Sequence, residues 1–206
     1  TLGNVINCDD VLFIQLDEEI NLSVLSQGEV LFNREQERVN IDHLIVPRLN
    51  ELQALMNHDL PEVKRYQVQH QITHRAIVQL VDALYPNNIF TNNSDKIKFL
   101  CEQIKQNERN ALRILDHITD CFAYILMNLV NIFSAQRVML NSGLLVVKDI
   151  FLEQLNHKLA TYLPNKSVPV EVITGKYEWN SPIVAGAAIK QGIYDGSLLT
   201  YLVKNE

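Results

Sequence analysis

The sequence predicts an α/β protein in which helices pack against a sheet, and three observations carry that expectation. Two short apolar runs, residues 11–16 and 20–25, flank an acidic turn, Asp17-Glu18-Glu19, near the start. A long segment over about 107–131 repeats Leu115, Ile118, Phe122, Ile125 and Leu129 at the helical period. From that segment onward helix, strand, helix, strand and helix alternate, the order of a layered α/β lobe.

Taken in order, the first two runs form a hairpin, and "SQG" leads to a third run at 29–32 that extends it to a meander. From Asn40 the character turns helical, and "IVPRLNELQALM" predicts a short helix. "DLPEVKRYQVQHQITHRAIVQLVDALYP" predicts a longer one, with Asp59 or Leu60 near the cap, Pro61 in the first turn and Pro86 as the stop. Ile77, Leu80, Val81 and Leu84 are its apolar stripe. Ser94 is the expected N-cap of the next helix, which buries Ile97, Leu100 and Ile104. The 107–131 segment is apolar on its flanks as well, so it is expected at the centre of the core. "QRVMLNS" is a strand, Gly143 lets it pass into the helix "LLVVKDIFLEQLNHKLATYL", Pro164 ends that helix, and "VPVEVIT" is the last strand. The final helix, from Asn180, carries Ala185, Gly186, Ala187 and Ala188, small enough to lie close to a neighbour. Gly196 then allows a turn before "SLLTYLV". Residues 1–45 are expected as a hairpin and sheet portion and 46–206 as a helical α/β lobe, together one compact unit.

Composition narrows the function. A 206-residue chain that is 47% apolar and 20% charged is globular rather than disordered. A net charge of −6 without a basic cluster gives this segment no means of reading DNA by itself. Three scattered cysteines, Cys8, Cys101 and Cys121, with no CxxC pair, point to a reduced cytoplasmic setting. "CFAYILMNLVNIF" is interrupted by Asn128 and Asn131 and reads as a core helix, so no membrane insertion is expected. "TLGNVINCDD" is no signal peptide, and the absence of an initiator Met suggests a chain cut from something longer.

"GAAIKQGIYDGSLLTYLV" resembles the C-terminal end of the ROK family of repressors and sugar kinases, above all its branch of sugar-responsive transcriptional regulators. "LVNIFSAQRVMLNSGLL" is similar to that branch's strand after its long helix, and "VLFIQLDEEINLSVLSQGEVL" fits the family's second hairpin without a gap. The resemblance covers nearly the whole chain and is weakest over 32–79. It implies an actin-like ATPase fold, ribonuclease H-like lobes around a cleft, of which this chain covers the later part. It implies DNA contact only through an upstream winged helix outside this chain. It also implies a homo-oligomer and contact with a sugar phosphotransferase component, with Tyr194, Leu198, Leu199 and Leu202 of the amphipathic end as the contact residues. Docking of that end on its own domain weighs equally.

Departures from the family pattern bear on chemistry. Family kinases use a glycine-rich turn between the hairpin strands to approach ATP phosphates; here it reads "DEEINLS", with Asn21 and Ser23 where glycines are expected. Two acidic side chains there would repel an anion. Of the family's "EIGH" sugar and zinc motif the chain keeps "NIDH": Asn40 stands at the Glu position, Asp42 at the Gly and His43 at the His. Asn40 and His43 are therefore candidates for weak sugar binding, since an amide can still bond a hydroxyl. The family's cysteine run for zinc has no counterpart between Leu44 and Phe99, so no cofactor is expected. His70 and His74 in "HQITH" are spaced four apart, as a metal on one helix face would need, though a solvent-facing pair is the plainer reading. Asp17, Glu18 and Glu19 read as a solvated turn, Ser142 lacks nucleophile-elbow spacing, and Cys101 and Cys121 read as core residues. Trp179 and Tyr177 are loop candidates for partner contact or for anchoring on the core. The function expected is the effector and oligomerisation region of a sugar-responsive regulator, without catalysis; a divergent sugar kinase and a DNA-free scaffold are the alternatives.

Overall fold

A computed structural model of the chain describes residues 9–27, 29–31, 39–163 and 170–174, almost all within one compact unit, Cys8–Ile173. Strand β1, Val11–Leu16, pairs antiparallel with β2, Ile20–Ser26, and Leu16 faces Ile20, so the connecting turn holds Asp17, Glu18 and Glu19 alone. Period-two alternation sends Ile20, Leu22 and Val24 into the core and leaves Asn21 and Ser23 on the other face. The short β3, Glu29–Val30, continues the meander beside β2.

The chain then crosses over through helices. A single turn, α1 at Glu62–Arg65, precedes α2 at His74–Leu84, α3 at Asn93–Lys105 and α4 at Arg109–Phe133. Strand β4, Arg137–Ser142, enters parallel to β1, with Leu16 opposite Ser142. After α5, Lys148–Tyr162, strand β5, Glu171–Thr174, completes a five-stranded sheet in the order β3-β2-β1-β4-β5. Strands from both sides of residue 45 thus share one sheet. Helix α4 supplies the centre of the core: Leu115, Ile118, Phe122, Ile125 and Leu129 are all buried, and α5 packs along it. Cys101 and Cys121 are buried free thiols.

Four expectations are corrected. The helix foreseen over 59–86 is broken: after α1 comes a 3-10 turn at Val68–His70, and α2 begins only at His74. The break has a physical cause. Val46 N–H donates to the Tyr66 carbonyl at 2.8 Å and Val68 N–H to the Leu44 carbonyl at 2.8 Å, a β-bridge that takes groups a helix would need. His74 N–H is likewise given to the Asp17 carbonyl at 2.7 Å, and Thr73 caps the new helix by accepting the Ala76 N–H. Next, α3 is capped by Asn92, whose Oδ1 accepts Asp95 N–H at 2.9 Å, so Ser94 lies inside the helix. Lastly, "IVPRLNELQALM" forms a 3-10 turn at Glu51–Leu55, and Gly143–Val147 is a 3-10 lead into α5.

Side-chain amides hold the irregular stretch between the hairpin and α2. Fully buried Gln53 accepts the Leu49 N–H at 2.6 Å and the Asn50 N–H at 3.2 Å on Oε1, while its Nε2 donates to the Pro47 carbonyl at 3.0 Å. Asn57 adopts positive φ (52°) and exchanges bonds of 2.9 Å with Gln79 on α2. Among the described residues no helix is long and apolar enough to cross a membrane. The final helix, with Tyr194, Leu198, Leu199 and Leu202, and the Tyr177 and Trp179 loop lie outside the described residues.

Candidate functional site

Parallel pairing of β1 with β4 brings two C-terminal strand ends to the same edge of the sheet. That edge is where open α/β sheets hold ligands. Asp17 follows β1, Gly143 follows β4, and His74 opens α2 above them. The Asp17 Oδ1 accepts the Gly143 N–H at 3.2 Å and lies 3.8 Å from His74 Nδ1, and Gln15 Nε2 donates to Oδ2 at 3.1 Å. On the far side of the ring, Ser142 Oγ sits 3.4 Å from His74 Nε2 and accepts the Leu144 N–H at 3.2 Å.

Burial pushes the His74 imidazole below its ordinary range against the opposing pulls of Asp17 and Glu18, so the ring is neutral at neutral pH. A neutral ring with Nδ1–H toward Asp17 leaves Nε2 to accept the Ser142 hydroxyl. The order Ser142, His74, Asp17 matches a hydrolytic relay, yet that chemistry needs a hydroxyl open to substrate. Ser142 is 7% exposed and its Oγ already accepts a backbone N–H, so its hydroxyl is not placed to meet a substrate, and the cluster links the ends of β1, β4 and α2.

Beside this node lies a small cleft of about 100 Å³ lined by Glu18, Glu19, Asp42, Gln69, His70, Thr73 and Arg75. Three carboxylates face one guanidinium. His70 adds no charge near neutral pH, since burial, then His43, Lys64 and Arg75, lower its pKa. The cleft is therefore electronegative.

The residues singled out in the sequence are placed as follows. Asn40 and His43 are both exposed at its margin. Asn40 turns back on its own segment: Oδ1 accepts Asp42 N–H at 2.9 Å and Nδ2 donates to Asp42 Oδ2 at 3.2 Å. His43 Nδ1 lies 3.3 Å from Gln67 Oε1 and 3.2 Å from Gln69 Nε2, so one nitrogen is contested by two amides. His70 and His74 do not share a helix face: His70 ends a 3-10 turn at the cleft, while His74 is the first residue of α2 and is buried against Ser142. Among the described residues no three His, Cys, Asp or Glu side chains converge as metal ligands. Asp17, read as part of a solvated turn, is the residue whose role sequence reasoning missed. Its partner Gly143 is 126 positions away, and only strand pairing joins them.

This mixed sheet with crossover helices defines the class: half of an actin-like ATPase fold. The ROK family pattern matches residues 68–191, and the chain belongs to the ROK family. It is 21% identical over 197 residues, 95% of its length, to the DNA-binding transcriptional repressor Mlc of Escherichia coli, of which it covers 47%. A solved ROK family transcriptional regulator, a homologue of that Mlc protein, superposes with a TM-score of 0.73 at 14% identity, covering 98% of this chain and 52% of the other. The ROK hexokinase from Thermus thermophilus superposes at 0.63 and 15% identity, covering 81% and 52%. The chain thus spans about half the length of the relatives it matches.

Proposed function

We propose that this chain is the effector and oligomerisation region of a cytoplasmic ROK-family transcriptional regulator of sugar metabolism, working through protein contacts rather than catalysis. The observation that carries the proposal is the acidic mouth at the strand ends. Asp17 fills the turn with its own carboxylate, and Glu18, Glu19 and Asp42 line the adjoining cleft. A phosphoryl group needs N–H donors or cations at close range, and here the donors are taken and the surrounding charge is negative. Asn40 and His43, exposed beside that cleft, retain enough hydrogen-bonding capacity for weak contact with a sugar hydroxyl.

DNA contact then belongs to a winged helix upstream, and the partners are a second copy of the protein and a sugar phosphotransferase component. Sedimentation of the complete protein tests the contact function. Replacing Leu198 and Leu202 by Asp is expected to shift the assembly to a smaller species, and Tyr194 and Leu199 are expected to behave alike. An unchanged sedimentation coefficient in a folded variant would remove the tail from the interface. The alternative, a divergent sugar kinase, has in its favour that kinases of the family share this fold.

A further inference from the structure

The Asp17 carboxylate is held as a bound anion is held. Two donors converge on it, the Gly143 N–H after β4 at 3.2 Å and the Gln15 amide on β1 at 3.1 Å, and His74 Nδ1 on α2 stands 3.8 Å away. The backbone seals the arrangement, because the Asp17 carbonyl accepts the His74 N–H at 2.7 Å. The close packing of His74 against Gly143 depends on a missing side chain. A Cβ at Gly143 would lie 2.8 Å from His74 Cε1, closer than atoms approach without something moving. Carboxylate and phosphoryl oxygens offer the same acceptor chemistry to such donors. An incoming anion would have to displace Asp17 and then lie beside its charge and those of Glu18 and Glu19.

We propose that Asp17 is an autoinhibitory carboxylate, a built-in anion that occupies the donors at the ends of β1 and β4 and keeps a phosphate-bearing ligand out. The inference rests on the reading that the native protein holds no nucleotide at this edge. Removing the carboxylate frees the Gly143 N–H and the Gln15 amide and takes one negative charge from the turn, so the edge becomes able to hold inorganic phosphate. Asp17→Ala empties the position. Asp17→Asn keeps its shape while removing the charge.

The test is a titration of the complete protein with inorganic phosphate, followed by the amide resonances of Gly143, Leu144 and His74. In the native protein these resonances are expected to show no saturable shift. In Asp17→Ala they are expected to shift saturably with a Kd on the order of 1 mM, and in Asp17→Asn to do so more weakly. If Asp17→Ala fails to fold, the near-isosteric Asp17→Asn decides the matter. Folded variants whose Gly143 resonance does not respond would reduce Asp17 to a structural brace and overturn the inference, leaving the proposed function intact. A saturable response in the native protein would overturn both.

Discussion

At Gly143 and His74, two residues 69 positions apart compete for the same few ångströms. The ring of His74 occupies the space a side chain at 143 would need, and it is pinned between Ser142 and Asp17. Gly143→Ala is therefore expected to destabilise the fold by about 1–3 kcal/mol in chemical denaturation. The cost should shrink in a His74→Ala background, where the obstructing ring is gone; additive costs would show that the two do not touch. A second residue-scale expectation concerns pH. His117 on α4 is buried, with Nε2 3.0 Å from the Gln71 carbonyl and Nδ1 3.1 Å from the Asn50 amide. Burial lowers its pKa to about 4, against opposing pulls from the Gln71 carbonyl, Asp120 and Asp116. The unfolded chain takes up that proton near pH 6.5 while the folded chain resists until about 4. Stability is then complete above pH 6.5 and falls as pH drops through that window, by about 1.4 kcal/mol per unit and on the order of 3 kcal/mol in all. His117→Gln should flatten the slope in urea melts taken at several pH values, and an unaltered slope would assign it to other groups.

At the scale of elements, the stretch between the hairpin and α2 stands on amide side chains rather than on regular hydrogen bonding. Gln53 serves two N–H groups and one carbonyl from full burial. Gln53→Ala is expected to cost about 2 kcal/mol, because three backbone groups lose their partner where water has little access. Hydrogen exchange should localise the damage to residues 47–57; protection lost evenly across the chain would argue against the staple. What the sequence disclosed about elements follows from how local their causes are. The turn between β1 and β2 and the stripe of α4 were legible because alternation and helical period are written in neighbouring residues. The break ahead of α2 was not, because the groups that cause it, the Leu44 carbonyl and the Asp17 carbonyl, come from 24 and 57 positions upstream of their donors Val68 and His74. Asn92 displaced Ser94 as the cap of α3 by a margin that propensity cannot resolve, since both residue types cap well.

For the whole molecule, the α/β order was legible, the C-terminal, post-helix strand and hairpin segments carried the family resemblance, and the acidic turn carried the case against phosphate. The site itself was not legible. Asn40 bonds back to Asp42 within its own segment, and His70 and His74 fall on separate elements once α2 starts at His74. Asp17 became more than a turn residue only when parallel pairing set it against Gly143. The central claim is that a negative edge, closed by the protein's own carboxylate, replaces a nucleotide site. The most direct measurement is a calorimetric titration of the complete protein with magnesium ATP, with and without a hexose, alongside an assay of ATP consumption. The account predicts no saturable heat and no sugar-dependent turnover; saturable binding accompanied by turnover would contradict it.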